Sequence, residues 1–146
     1  MIRPGAAADI TAAAGVFRRA SLSNPADRDR LRAHPEYLVL AGEGLAEGRT
    51  YVAEEDGEVV GFATWAEAAG VVELDELFVD PDYARRGIAA ALVRRITEVL
   101  RAQGVRSLEV TANPDALGFY QAVGFADYGV AETDFGTAPR MVLDIS

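Results

Sequence analysis

The run Leu77-Phe78-Val79-Asp80-Pro81-Asp82-Tyr83-Ala84-Arg85-Arg86-Gly87-Ile88-Ala89-Ala90-Ala91-Leu92 limits the choice of folds more than any other stretch of the chain. An apolar strand, Val71 to Val79, is stopped by Asp80-Pro81, since proline removes a ladder donor and fixes φ. A helix from about Arg86 to Gln103 follows, with Ile88, Leu92, Ile96, Val99 and Leu100 at helical spacing on one face and Gly104 as its stop. Ser107 to Thr111 reads as the next strand. A strand, a short turn, a long amphipathic helix and a second strand make a right-handed crossover between parallel neighbours. That unit needs a sheet with a helix laid across it, so all-α and all-β folds are excluded.

The other elements fit around this unit. Ile2 and Arg3 before Pro4 suggest a short edge strand. Asp9 is placed to cap a helix to about Ala20, with Ile10, Ala13, Ala14 and Phe17 on its apolar face. Asn24-Pro25 starts a second helix to about Ala33, and His34-Pro35 opens a third segment, with Tyr37, Leu38 and Leu40, that ends near Gly48. The hydrophobic period then changes to two. Thr50 to Glu55, the turn Asp56-Gly57 and Glu58 to Ala66 form a hairpin. Asn113-Pro114 begins a helix through about Val123, and Phe125 to Thr133 with Arg140 to Ile145 form a closing hairpin. The expected fold class is α/β (α+β): a mixed central sheet of about seven strands flanked by helices. A chain of 146 residues is expected to form one domain over residues 1–146.

The turn after Pro81 has its own chemistry. The first amides of a helix have no partner inside it. Gly87 and Ala89 have minimal side chains, so an anion can approach those amides, and Arg85, Arg86 and the helix dipole add positive potential. A diphosphate suits such a cradle. The segment is neither a Walker loop, since no Gly-Lys-Ser/Thr follows, nor a dinucleotide GxGxxG turn. The bland reading of the same residues is that Gly87 and Ala89 let a helix pack closely on a sheet.

With that turn on view, the sequence resembles the GNAT superfamily of acyl-CoA-dependent N-acyltransferases. The family turn reads Gln/Arg-x-x-Gly-x-Gly/Ala after a strand ending in Val-x-Pro. Here Val79-Asp80-Pro81 matches the strand end, Gly87 and Ala89 match the small positions, and Ala84 departs from the Gln/Arg position. A second family pattern follows in Asn113-x-x-Ala116-x-x-Phe119-Tyr120-x-x-x-Gly124-Phe125. The resemblance implies a GNAT-like sheet with splayed central parallel strands and acetyl-CoA as cosubstrate. It implies that main-chain groups of Leu77, Phe78 and Val79 bond the pantetheine and that the amides of Arg85, Arg86, Gly87, Ile88, Ala89 and Ala90 hold the pyrophosphate. Asn113, Phe119 and Tyr120 would line the pantetheine arm. Tyr120 matches the family's general acid, and a phenol with an ordinary pKa of about 10 can donate at neutral pH.

Acetyl transfer to an amine also needs a group to take the ammonium proton. The candidates are Glu73, Asp75 and Glu76 on one strand and Glu109 on the next. Strand alternation places Glu73 and Asp75 on one face and Glu76 on the other. Each acid taken singly also reads as a solvated strand residue. Together they suit an acceptor amine of a small molecule or peptide, and a cationic one in particular. The alternative is a non-catalytic acyl-CoA-binding or regulatory module on the same fold.

Composition sets the remaining limits. There is no cysteine, which excludes disulfides, thiolate metal ligands and a cysteine acyl-enzyme, leaving direct transfer in a ternary complex. A single histidine, His34, argues against a multi-histidine metal site or a Ser-His triad, so no metal is expected. The net charge of −9, with all 14 basic residues arginine, argues against nucleic acid, including an acylated tRNA, as partner. No secretory signal or 18-residue apolar run is visible, so a cytoplasmic protein without membrane contact is expected. A homodimer through the C-terminal hairpin is compatible with the sequence. Trp65 reads as core or pocket wall, His34 and Gly136 as turn residues, and Arg28 and Tyr37 as candidates to face an acceptor.

Overall fold

In the computed structural model, which describes residues 1–146 apart from the side chain of Ala26, seven strands and five α-helices follow one another along the chain. They are β1 (Ile2–Pro4), α1 (Ile10–Leu22), α2 (Pro25–Ala33), α3 (Glu43–Ala46), β2 (Thr50–Glu55), β3 (Glu58–Ala68), β4 (Val71–Val79), α4 (Ile88–Ala102), β5 (Ser107–Thr111), α5 (Leu117–Ala122), β6 (Ala126–Thr133) and β7 (Gly136–Asp144). The strands form one mixed sheet in the order β1-β2-β3-β4-β5-β7-β6. β4 and β5 are parallel, pairing Glu73 with Glu109 and Leu74 with Val110, and β4 itself continues to Val79. β2 with β3 and β6 with β7 are antiparallel hairpins. Asp56 and Gly57 both take positive φ, 51° and 81°, as the tight hairpin turn requires.

Several boundaries differ from the sequence reading for local reasons. Asp9 stands at the start of α1 but does not cap it. Its carboxylate instead accepts from the Arg3 guanidinium at 2.9 and 3.0 Å and from the Ala6 amide at 2.8 Å, which holds its pKa below the ordinary carboxylate range, the Arg3 bond being the main cause. The segment after His34 is a 3-10 turn, Pro35–Leu38, followed by the one-turn helix α3. Pro114–Ala116 is likewise 3-10 before α5. α4 begins at Ile88 rather than Arg86, and Val93, not Val99, completes its buried face with Leu92, Ile96 and Leu100.

Two compact units divide the residues: Met1–Thr64 with Glu76–Arg95, and Trp65–Asp75 with Ile96–Ser146. In the first, Ala13, Val16, Leu45, Val52 and Phe62 form a buried cluster against which Ile10, Phe17, Leu40, Val59 and Phe78 pack. Phe78 meets the Phe17 ring edge-on at 4.8 Å and lies 5.7 Å from Phe62. Fully burying an aromatic such as Phe62 contributes about 1.5–3 kcal/mol of transfer free energy, and the half-buried Phe78 packs beside it at the end of β4. In the second unit, β5 pairs Leu108 with Leu143 and Val110 with Met141, and Leu108, Val110 and Met141 are buried. Alternation then sends Glu109, Thr111 and Arg140 to the opposite face of the sheet.

Candidate functional site

The turn leading into α4 is assembled from Asp80 outward. The Asp80 amide donates to the Val60 carbonyl at 2.8 Å, and its buried carboxylate accepts from the Asp82 amide at 3.0 Å. The same carboxylate accepts from Arg19 Nε at 2.9 Å, with Arg19 Nη2 2.8 Å away. Arg19 on α1 thus pins the end of β4, a role the sequence did not suggest. The chain passes through a 3-10 turn, Pro81–Tyr83, and the Arg86 guanidinium lies over the Tyr83 ring, 4.9 Å from its centroid. Arg85 and Gly87 both adopt positive φ, 64° and 77°.

The Gly87 carbonyl accepts from the Ala91 amide at 3.0 Å, so α4 is hydrogen-bonded from this point. The amides of Ile88, Ala89 and Ala90 are therefore the first of the helix and have no intrahelical acceptor. A Cβ on Gly87 would meet nothing within 4 Å. Close packing is not why a glycine stands here; its positive φ and the open space above its backbone are. Ile88 turns its side chain into the core, leaving its amide as the group it can offer an anion. Leu77, Phe78 and Val79 are half-buried. The β3 residue Gly61 passes so close that a Cβ there would lie 3.2 Å from the Phe78 carbonyl oxygen.

In the second unit Tyr120 lies on α5 with 7% of its surface exposed. Its ring meets Phe119 and Phe125 edge-on, with centroids 5.1 and 5.3 Å away. Burial pushes the phenol up to about 12. Among the described residues its hydroxyl has no hydrogen-bond partner, and none of their fully buried polar side-chain atoms is unpaired. The ring is therefore packed while the oxygen is reachable, unlike a core tyrosine whose hydroxyl is tied off. Asn113 is exposed, and its side-chain oxygen accepts from the Asp115 amide at 2.9 Å, capping the 3-10 turn before α5.

The four candidate acids do not form one cluster. Glu73 and Glu109 are register partners, and both are bound by Arg140 on β7. Glu73 and Asp75 line an open hollow of about 420 Å³ with Leu74, Thr111, Glu132, Thr133 and Asp134. Glu76 has the opposite parity and lines a separate pocket of about 10 Å³ in the first unit, beside Thr50 and Thr64, whose buried hydroxyls are 2.7 Å apart. Arg140, Tyr128, Glu132 and Asp134 were not singled out from the sequence. Arg140 left one trace, a lone cation in the otherwise apolar run Met141-Val142-Leu143 that it precedes. Of the acceptor candidates, Arg28 donates to the Leu22 carbonyl at 3.0 Å, while His34 bonds Glu36 at 3.1 Å and stacks near Tyr37. Trp65 is buried. Among the described residues no group of three or more His, Cys, Asp or Glu is arranged to hold a metal ion.

A strand ended by proline thus leads to a positive-φ glycine at the start of a long helix, and a tyrosine with a reachable hydroxyl stands on the helix after the next strand. The chain belongs to the acetyltransferase (GNAT) family, whose sequence pattern matches residues 17–125. It is 30% identical over 139 residues to glucosamine 6-phosphate N-acetyltransferase 1 of Oryza sativa subsp. japonica, covering 88% of this chain and 82% of that one. It is 35% identical over 92 residues to an uncharacterized N-acetyltransferase of Methanocaldococcus jannaschii, covering 56% of this chain. The chain spans only 41% of that relative's length. Among solved structures, the PaiA N-acetyltransferase of Thermoplasma acidophilum in complex with coenzyme A superposes with a TM-score of 0.76 at 18% identity, covering 99% of this chain and 98% of that one. At that identity the likeness is one of fold.

Proposed function

We propose that the protein transfers an acetyl group from acetyl-CoA to a primary amine of a small molecule or peptide, directly within a ternary complex. The observation that carries this reading is the start of α4: three free amides follow a positive-φ glycine whose open side leaves the backbone accessible. The amides of Arg85 to Ala90 would bind the pyrophosphate, helped by the helix dipole. Main-chain groups of Leu77, Phe78 and Val79 would bond the pantetheine, with Asn113 and Phe119 along the arm.

The neutral amine attacks the thioester carbonyl carbon, a C–N bond forms, and the C–S bond breaks as the tetrahedral intermediate collapses. A main-chain amide of Phe78 or Val79 would polarise the thioester oxygen. Tyr120 donates its proton to the departing sulfur, and its burial suits the role, because a phenol pushed up to about 12 stays protonated throughout the neutral range. The ammonium proton passes to an acid on β4 or β5, among Glu73, Asp75, Glu76 and Glu109, or to water. With no cysteine in the chain, no thioester acyl-enzyme intervenes. The carboxylates around the larger hollow favour an acceptor that carries positive charge.

The test is release of free thiol from acetyl-CoA in the presence of a panel: spermidine, an aminoglycoside, glucosamine 6-phosphate, a lysine-bearing peptide and a peptide with a free α-amine. Amine-dependent thiol release and a product heavier by one acetyl group are expected. Binding of acetyl-CoA without thiol release for any panel member would reject transfer in favour of a binding module.

A further inference from the structure

Arg140 has a bonding pattern that the transfer reading above does not account for. It stands on β7 opposite Thr111 on one side and Gly129 on the other. Its Nη1 donates to Glu73 Oε1 and, at 2.7 Å, to Thr111 Oγ1; its Nη2 donates to Glu109 Oε1 at 2.9 Å; its Nε donates to the Tyr128 hydroxyl at 3.2 Å. The Tyr128 hydroxyl in turn donates to the same Glu109 oxygen. One guanidinium therefore joins side chains from β4, β5 and β6.

We propose that Arg140 is a positioning residue on the acceptor side, holding Glu73 and Glu109 so that each keeps its second oxygen, Oε2, for the ammonium of the incoming amine. The proposal rests on the transfer reading. Three observations support it. Glu73 and Glu109 are register partners on adjacent strands, which lie about 4.8 Å apart, and two like charges at that spacing repel unless a cation sits between them. Arg140 is that cation, and its planar fork fixes direction as well as charge. Among the described residues only Oε1 of each glutamate is engaged, so the clamp leaves one oxygen per carboxylate open. Finally, Glu73 and Thr111, both held by Arg140, are walls of the larger hollow, so fixing them fixes the geometry an entering amine meets.

The deciding experiment compares Arg140→Lys and Tyr128→Phe with wild type, using the amine panel above and acetyl-CoA. Lysine keeps the charge but cannot serve Glu73, Glu109, Thr111 and Tyr128 together. It should lower kcat/KM for the amine about 100-fold, the cost of misplacing reacting groups by about 1 Å. The loss should appear mainly in the amine KM and in a displaced acid limb of the pH–rate profile, with the acetyl-CoA KM held within about twofold. Tyr128→Phe removes only a hydroxyl from a side chain that is 54% exposed, and should reproduce the same pattern at about 10-fold. If Arg140→Lys does not fold, Tyr128→Phe decides alone. Amine kinetics within about twofold of wild type in the folded variants would overturn the proposal. So would an equal loss of acetyl-CoA affinity, which marks a purely structural role. A wild-type protein inactive on every amine overturns the transfer reading and this proposal with it. An active wild type with unaffected variants overturns this proposal alone.

Discussion

Tyr120 combines a buried ring with a reachable oxygen, and that pairing sets its chemistry. Burial disfavours the phenolate, which has lost the water that would solvate it. Removing the hydroxyl in Tyr120→Phe leaves the packing against Phe119 and Phe125 intact and deletes the proposed proton donor. The expected outcome is a fall in kcat of about 10²- to 10⁴-fold with little change in the acetyl-CoA KM, read from steady-state thiol release. The raised pKa also links to stability. The folded value, about 12, lies above the ordinary 10.0, so the stabilisation from this group is full below pH 10 and is lost as pH rises through about 12. Melting temperatures followed across that interval should decline less steeply for Tyr120→Phe than for wild type. The position of Tyr120 was legible in the sequence from the Asn113 to Phe125 pattern. The freedom of its hydroxyl was not, because that depends on which polar atoms other segments bring to it.

At the scale of elements, the turn between β4 and α4 is held from both ends. Asp80 secures the strand end by accepting from Arg19 Nε and from the Asp82 amide, with Arg19 Nη2 ion-paired to the same carboxylate. Asp80→Ala should destabilise the fold by about 1–3 kcal/mol, the penalty for stripping partners from polar groups near the core, measurable by urea unfolding. Gly87 holds the other end. With φ at 77° and nothing within 4 Å of a notional Cβ, Gly87→Ala should cost about 1–2 kcal/mol through backbone strain alone. Relief of that strain by a shift of the turn would displace the Ala89 and Ala90 amides, so the acetyl-CoA dissociation constant should rise more than stability falls; calorimetric titration separates the two. The start of α4 lies two residues after the position expected from periodicity. Hydrophobic spacing locates a helix face well but not its first hydrogen bond, which here is set by the positive φ of Arg85 and Gly87.

For the whole molecule, acetyl-CoA should raise the melting temperature, since a ligand that binds only the folded chain stabilises it by about 2.7 kcal/mol at a hundredfold excess over its dissociation constant. A flat response at saturating acetyl-CoA would remove the cosubstrate and every role assigned to the turn. The seven strands, the parallel β4–β5 pair and the turn into α4 were all readable from sequence, because alternation, helical spacing and proline stops are local signals carried within a few residues of one another. The candidate acids were readable only as residue types. Whether Glu73 and Glu109 share a cation was decided by register: β5 aligned Thr111 with Arg140 and Glu109 with Val142, and so brought a cation from the far end of the chain to two carboxylates that precede it by 67 and 31 residues. Sequence by itself determined the order of elements and the proline-stopped turn into α4, since both depend on neighbouring residues. The tertiary structure alone decided which charges meet, because strand pairing joins segments whose separation leaves no trace in the local pattern.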